Sequence, residues 1–149
     1  MENIVKKFKD NKITVASCES CTGGLVASAF VDVPGSSEVF LEGAVTYSNE
    51  AKVRLGVSED TLQEFGAVSE EVALQMAKAI KKRAGASVGI STTGIAGPGG
   101  GTDKKPVGLV YTAIVTGNGE NVYKLNLTGS RTEVRNKTVE FIKERLKGL

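Results

Sequence analysis

The sequence contains no histidine and no tryptophan, and only two cysteines and three prolines. Without histidine, neither a Ser-His-Asp triad nor a Cys-His pair can form within the chain. A structural zinc site needs four ligands, so two cysteines exclude one, barring a site shared between subunits, and we expect neither a metal nor a cofactor. A serine nucleophile would therefore need a lysine or a tyrosine as its base.

The chain also lacks a strong charge of either sign and a large aromatic surface. Nineteen basic and seventeen acidic residues leave a formal net charge of +2, and aromatic residues make up 5% of the chain. Nucleic acid is therefore not an expected partner. No apolar run approaches the length of a membrane span, and the N-terminal segment MENIVKKFKD has no apolar signal core. We expect a cytoplasmic protein without a membrane partner.

Hydrophobic residues make up 40% of the 149 residues, and their spacing is typical of an α/β protein. We expect one domain over residues 1–149. Strands are predicted at 13–17, 40–47, 87–92, 109–116 and 121–127. Helices are predicted at 2–10, 23–31, 69–83 and 132–147, with two short ones capped by Asn49 and Ser58 and closed by Gly56 and Gly66. Strands that alternate with helices and then pair as a hairpin indicate a layered sheet with helices on both faces.

Cys18 and Cys21 stand at a predicted strand-to-helix turn. A thioredoxin-type redox pair occupies such a position, where the helix start stabilises a thiolate. The intervening Glu19 argues against that interpretation, because a nearby carboxylate raises the pKa of a thiol. The favoured explanation is that two small, partly buried side chains pack a tight turn.

Ser20 lies between the two cysteines, and the following Thr22-Gly23-Gly24 allows the backbone to turn sharply. Amides at the start of the next helix could hold a phosphate or a developing oxyanion, with Ser20 as a nucleophile. The alternative is that Ser20 or Thr22 simply caps the helix. The sequence leaves both interpretations open.

Candidate bases for Ser20 follow the second predicted strand. Tyr47 falls at the end of this strand and Lys52 on the first turn of the next helix, and strand ends are where α/β proteins place ligands. The alternative is that Tyr47 is a rim residue and Lys52 a solvated helix charge.

A second glycine-rich segment, TTGIAGPGGG at residues 92–101, also follows a predicted strand. It matches neither the Walker loop nor Gly-x-Gly-x-x-Gly, so it is either a mobile connection or a ligand loop with hydroxyls from Thr92 and Thr93. Arg131 and Arg135 lie at the start of the last helix. Arginine is unfavourable there for the helix dipole, so these residues are either solvated or paired with an anion.

Six short segments occur in one order along the chain, namely Glu19–Gly24, Pro34–Ser37, Tyr47–Asn49 with Lys52, Gly66–Ser69, Thr93–Pro98 and Lys105–Gly108. Together they closely resemble the CinA C-terminal domain family, the nicotinamide-nucleotide amidases. The resemblance runs from about Ile4 to the C-terminus. No single segment is decisive, but six in register are hard to obtain by chance.

This resemblance implies an enzyme that deamidates nicotinamide mononucleotide (NMN) to nicotinate mononucleotide and ammonia in pyridine-nucleotide salvage. It also implies a three-layer α/β/α sandwich with a mixed central sheet, usually assembled as a homo-oligomer, that needs no metal. Full-length CinA proteins carry an additional N-terminal domain related to molybdopterin-binding proteins. We expect this chain to lack that domain and the pyrophosphatase activity associated with it.

By the same resemblance, Ser20 corresponds to the nucleophile, and Tyr47, Lys52, Thr93 and Arg131 correspond to further site residues. We hypothesise that Lys52 accepts the Ser20 proton, with Tyr47 as a relay, and that amides of the Gly23-Gly24 helix start stabilise the oxyanion. The alternative is a nucleotide-binding or regulatory module that performs no chemistry. The predicted substrate contacts are Thr22, Gly23, Gly24, Thr93, Gly94, Ala96, Gly97, Arg131 and Arg135.

Overall fold

A computed structural model describes all residues from Met1 to Leu149. Its strands are β1 (Val15–Glu19), β2 (Phe40–Val45), β3 (Val88–Gly94), β4 (Leu109–Val115) and β5 (Glu120–Asn126). They form one sheet in the order β2-β1-β3-β4-β5. β1 pairs in parallel with β2 and β3, whereas β3, β4 and β5 pair in antiparallel fashion. The predicted α/β class with a mixed central sheet is confirmed.

Six helices cover both faces of the sheet, which confirms the three-layer arrangement. They are α1 (Glu2–Asp10), α2 (Leu25–Val31), α3 (Asn49–Leu55), α4 (Glu59–Phe65), α5 (Glu70–Ala84) and α6 (Arg131–Leu146). α1, α2 and α6 share one apolar cluster with β1, β3 and β4, while α4 and α5 share another with β1. No helix combines the length and the apolar character needed to cross a bilayer.

β1, which lies between β2 and β3, is buried on both faces. Side chains alternate along a strand, so Val15 and Glu19 point towards α2, whereas Ala16 and Cys18 point towards α5. The carboxyl end of β1 is therefore enclosed by both helical layers, and Ser20 follows directly after it.

Helix α5 packs very closely on β3 because small residues face each other there. A Cβ atom at Gly89 would lie only 2.2 Å from the carbonyl oxygen of Ala77, so this position admits only glycine. Two residues further along β3, the Ser91 hydroxyl donates to the carbonyl oxygen of Ala73 at 2.6 Å. This close contact brings the segment before α5 to the end of β3.

The predicted helix limits hold within two residues, apart from one cap. Ser48, not Asn49, caps α3, because its extended backbone lets its hydroxyl oxygen accept the Ala51 amide at 3.1 Å. Ser58 and Ser69 cap α4 and α5 as predicted. The strand predicted at 13–17 instead runs from Val15 to Glu19, so that Ser20 stands one residue past its end.

Candidate active site

A pocket of about 280 Å³ opens at the carboxyl ends of the three parallel strands. Ser20 follows β1, Tyr47 and Lys52 follow β2, and Thr93 lies at the end of β3. The strand order 2-1-3 places the topological switch between β1 and β3, where α/β folds leave a crevice for a ligand. The predicted residues that line the pocket are Ser20, Tyr47, Lys52, Thr93, Gly94, Ala96, Gly97 and Arg131.

Ser20 and Lys52 are in direct contact inside this pocket. The Lys52 ammonium nitrogen Nζ lies 3.1 Å from the Ser20 hydroxyl oxygen Oγ. Only 1% of Lys52 and 8% of Ser20 is exposed. Lys52 Nζ also donates to the main-chain carbonyl of Thr46 at 2.7 Å and reaches that of Tyr47 at 3.4 Å. Lys52 is therefore a buried side chain aimed at a serine and not a solvated helix charge.

Burial lowers the pKa of Lys52, since taking an ammonium group out of water disfavours its charged form. None of the ion pairs in the chain involves Lys52, so no carboxylate compensates for this effect. A neutral amine has two N–H groups, which the carbonyls of Thr46 and Tyr47 can accept. Its lone pair is then free to accept the proton of the Ser20 hydroxyl, as a general base requires.

Tyr47 does not take part in the Ser20–Lys52 contact through its side chain. Its hydroxyl accepts a hydrogen bond from Arg131 Nη2 at 2.8 Å, and the residue is 61% exposed. Arg131 Nη1 donates to the carbonyl of Gly97 at 2.7 Å. The predicted relay through Tyr47 is corrected, because Lys52 reaches Ser20 directly. Arg131 instead joins the ends of β2 and β3 at the rim of the pocket.

The segment after β3 supplies unpaired main-chain donors to the pocket. The Thr93 hydroxyl donates to the carbonyl of Ala67 at 2.7 Å and so holds the segment before α5 against β3. Ala96, Gly97, Gly99 and Gly100 line the pocket, and their amides make no hydrogen bond within the chain. Such amides, together with the guanidinium group of Arg131, can bind an anion.

The turn after β1 differs from the prediction, since a buried carboxylate already occupies its helix start. Glu19 accepts the amides of Gly24 and Val26 at 3.0 Å and that of Ala27 at 2.8 Å. The Gly23 amide bonds to the Ser20 carbonyl. The amides of Gly23 and Gly24 are thus not available to an oxyanion, and neither residue lines the pocket.

Two further predicted substrate contacts lie behind the pocket. Thr22 is fully buried, and its hydroxyl donates to Glu19 at 2.6 Å. Arg135 Nε donates to the carbonyl of Cys21 at 3.2 Å, and its Nη2 donates to that of Thr22 at 2.9 Å. Because both side chains are used within the protein, Thr22 and Arg135 hold the turn after Ser20 and do not reach the pocket.

The two cysteines are free thiols. Burial raises the pKa of both to about 11, so neither is a thiolate at neutral pH. Cys18 lies in the cluster under α5 and contacts the Thr46 hydroxyl at 3.1 Å, whereas Cys21 packs beside Ala96 and Val110. This environment supports packing in place of redox chemistry.

Some residues of the site were not identified from the sequence. Asn49, Ala67, Val68, Ile95, Gly99 and Gly100 also line the pocket. Gly99 and Gly100 lie in the glycine-rich segment already singled out, and Ala67 and Val68 lie in the Gly66–Ser69 segment that supports the family resemblance. The position of Ala67 and Val68 at the pocket depends on the long-range packing of α5, which no local pattern indicates. Glu19 had a signal, since a carboxylate that follows four buried strand residues and precedes a helix start is a candidate helix cap.

The fold and the pocket together define an α/β protein with a buried Ser–Lys pair at the carboxyl ends of parallel strands. A sequence model of the CinA C-terminal domain matches residues 1–148. The chain belongs to this family.

The most informative relatives agree with this assignment. A competence-damage inducible protein of Clostridium perfringens is 58% identical over 141 residues, and a CinA-like protein of Kosmotoga olearia is 53% identical over 141 residues. These matches cover 93% and 94% of this chain but 34% of each relative. The chain therefore spans about a third of the length of the curated relatives it matches.

Solved structures show the same fold over nearly the whole chain. The competence/damage inducible protein CihA from Agrobacterium tumefaciens superposes with a TM-score of 0.95 at 44% identity, covering 98% of this chain and 90% of that one. A CinA superfamily protein from Escherichia coli superposes with a TM-score of 0.89 at 33% identity, covering 94% and 84%.

Proposed function

We propose that this chain deamidates nicotinamide mononucleotide to nicotinate mononucleotide and ammonia with a serine nucleophile and without histidine. The observation that carries the proposal is the 3.1 Å contact between Ser20 Oγ and the buried Lys52 Nζ. Membership of the CinA C-terminal domain family supports the choice of substrate, which is part of the proposal.

In the first half of the reaction, Lys52 in its neutral form accepts the proton of the Ser20 hydroxyl, and Ser20 Oγ attacks the carboxamide carbon. The oxyanion of the tetrahedral intermediate then needs donors other than the Gly23-Gly24 helix start. The donor we propose is the amide of Cys21, which directly follows the nucleophile and makes no hydrogen bond within the chain. The protonated Lys52 returns its proton to the departing nitrogen, so that ammonia leaves and an acyl-enzyme remains.

In the second half, water replaces ammonia. Lys52 takes a proton from the attacking water, hydroxide adds to the acyl carbon, and the Ser20 oxygen leaves with the proton from Lys52. The products are nicotinate mononucleotide and the free serine. Carbonyl acceptors at Thr46 and Tyr47 can hold Lys52 in place in both of its protonation states.

The rest of the pocket suits the nucleotide part of this substrate. Arg131 carries a positive charge at the rim, and the four residues of the segment 96–100 whose amides are unpaired line the same pocket. We propose that these groups bind the phosphate. The apolar side chains of Val68 and Ile95 offer a surface for the pyridine ring.

Ammonia release from nicotinamide mononucleotide by the purified protein tests the proposal, with Ser20→Ala as the matched variant. Release by the wild type and its loss in a folded Ser20→Ala protein would support the amidase and the nucleophile. Equal release from both proteins would retain the amidase and exclude the serine mechanism. Thermal stabilisation by the nucleotide without any product would instead indicate a binding module.

A further inference from the structure

Glu19 is a fully buried carboxylate next to the proposed nucleophile, and the reaction described above does not use it. Only 1% of Glu19 is exposed, and no ion pair involves it. Its oxygen Oε2 accepts from the Thr22 hydroxyl and from two amides of the α2 start, and Oε1 accepts the Ala27 amide at 2.8 Å. A buried charge is costly unless hydrogen bonds compensate for it, and here they come from the turn that carries Ser20.

These bonds close a ring around Ser20. The Thr22 hydroxyl has one proton, which it donates to Glu19 at 2.6 Å, so the Thr92 hydroxyl at 2.7 Å must be the donor to Thr22. The main-chain carbonyl of Thr92 in turn accepts the Ser20 amide at 2.9 Å. Ser20 is thus linked to β3 through its own amide and, by way of Glu19, through a chain of two hydroxyls.

A cation holds the same turn from the other side. Arg135 on α6 donates to the carbonyls of Cys21 and Thr22, while Glu19 accepts amides from the residues that follow them. The two charged side chains therefore bind main-chain groups of opposite polarity over one short turn. None of Glu19, Thr22, Thr92 and Arg135 lines the pocket, so none can contact a substrate there.

We infer that Glu19 is a positioning residue that, through Thr22 and Thr92, holds the Ser20 hydroxyl at the distance from Lys52 that proton transfer requires. The inference rests on the proposed serine mechanism. It predicts that breaking the ring lowers the reactivity of Ser20 and kcat while leaving KM unchanged, because the walls of the pocket are untouched. If Glu19 served only as a helix cap, its loss would lower the stability of the protein without lowering the reactivity of Ser20.

Two variants of the ring test this role. In Glu19→Gln, an NH₂ group replaces one carboxylate oxygen. This NH₂ group then faces an N–H donor at the start of α2, so that a hydrogen bond of Glu19 is lost. Thr22→Val removes only the hydroxyl that joins Glu19 to Thr92, and Thr22→Ser retains it. The control is Ser58→Ala, which removes the cap of α4, a helix that does not line the pocket.

The readout is the rate at which a fluorophosphonate ester labels Ser20 with loss of fluoride, measured by mass spectrometry on proteins whose folded fraction is known from urea unfolding. We expect labelling to be about 100-fold slower in Glu19→Gln, the usual effect of a misplaced reacting group. We expect it to be about tenfold slower in Thr22→Val, as for one lost hydrogen bond in the transition state. Thr22→Ser and Ser58→Ala should react like the wild type.

Equal labelling rates in the wild type and folded Glu19→Gln would overturn the inference. If Glu19→Gln does not fold, equal labelling rates in Thr22→Val and Thr22→Ser would overturn the inference. A wild type that is not labelled at Ser20 would overturn both this inference and the serine mechanism. A wild type that is labelled but releases no ammonia would refute the proposed function, and the labelling ratios would still decide the role of Glu19.

Discussion

Compared with the glycine-rich segment after β3, the turn after β1 has few free donors. The amides of Gly23 and Gly24 bond to the Ser20 carbonyl and to the Glu19 carboxylate. The four amides between residues 96 and 100 bond to nothing in the chain. Both segments are rich in glycine and both follow a parallel strand. Glycine content therefore does not decide whether main-chain donors are free; the presence of an internal acceptor, such as the Ser20 carbonyl or the Glu19 carboxylate, does.

The difference fits two separate tasks at one pocket. The proposed nucleophile has to be held in one place, and its turn is bonded on both sides by Glu19 and Arg135. The proposed ligand-binding segment has to offer donors, and its amides are unpaired within the chain. The following predictions test this division of tasks, beginning with the largest effect.

Replacing Lys52 with methionine should have the largest effect, because it removes the proposed base that contacts Ser20. We expect kcat/KM to fall by about 10²–10⁴-fold, the range of general base catalysis. In the wild type, kcat/KM should decrease as the pH falls through the lowered pKa of Lys52, because the ammonium form cannot accept the Ser20 proton. Rate measurements across pH on both proteins test this, and a wild-type profile that stays flat into the acid range would contradict it.

The two arginines of α6 should affect different kinetic constants. Arg131→Met removes the charge at the rim, so we expect KM for nicotinamide mononucleotide to rise about 10–100-fold, as for the loss of a charged hydrogen bond. Arg135→Met loosens the Ser20 turn, so we expect kcat to fall with KM unchanged.

Nicotinamide riboside, which lacks the phosphate, is the control ligand for this comparison. Arg131→Met should change its KM much less than that of the nucleotide, whereas Arg135→Met should slow both substrates alike. An equal loss for both substrates in Arg131→Met would show that Arg131 does not bind phosphate.

A glycine should matter for stability at Gly24, in the turn after β1, and not at Gly99, in the glycine-rich segment after β3. Gly24 has a φ of +99°, so Gly24→Ala should lower the free energy of unfolding by about 1–2 kcal/mol. A Cβ at Gly99 would meet nothing within 4 Å, so Gly99→Ala should change it by less than about 0.5 kcal/mol. Urea unfolding measures both values, and equal losses would refute the distinction.

The smallest effect on activity is expected from the two cysteines. Cys18→Ala combined with Cys21→Ala should leave ammonia release within a few fold of the wild type, since both thiols are buried and have a pKa of about 11. Some stability should be lost through the small cavities that remain. Abolished activity in a folded double variant would revive a role for the thiols.

Local patterns predicted the helices and strands well. They also indicated, for a sound physical reason, that Ser20 and Lys52 lie close together. Both residues follow strands of a parallel pair, and the carboxyl ends of such strands meet at one edge of the sheet. The same reasoning could not separate Arg131 from Arg135. They lie four residues apart on the same face of one helix and differ by one turn along its axis. Arg131 contacts Tyr47 and Gly97 at the pocket, whereas Arg135 contacts the carbonyls of Cys21 and Thr22.

The turn after β1 contains a feature that local patterns did not predict. Gly23 and Gly24 indicated a free helix start, but the chain itself supplies the anion that occupies it. Glu19 can fill this place only because alternation along β1 directs its side chain towards α2.

The amino-acid sequence was sufficient for the features that depend on neighbours within about four residues, such as the caps at Ser58 and Ser69 and the sharp turn at Gly24. Only the tertiary structure determined which groups the charged side chains contact. The contact between Arg135 and Cys21 spans 114 residues, and that between Lys52 and Ser20 spans 32. Such pairs form only once the strands are ordered in the sheet and the helices are oriented on it. The strand order and the helix orientation depend on burying the apolar faces of the whole sheet, which no local segment determines.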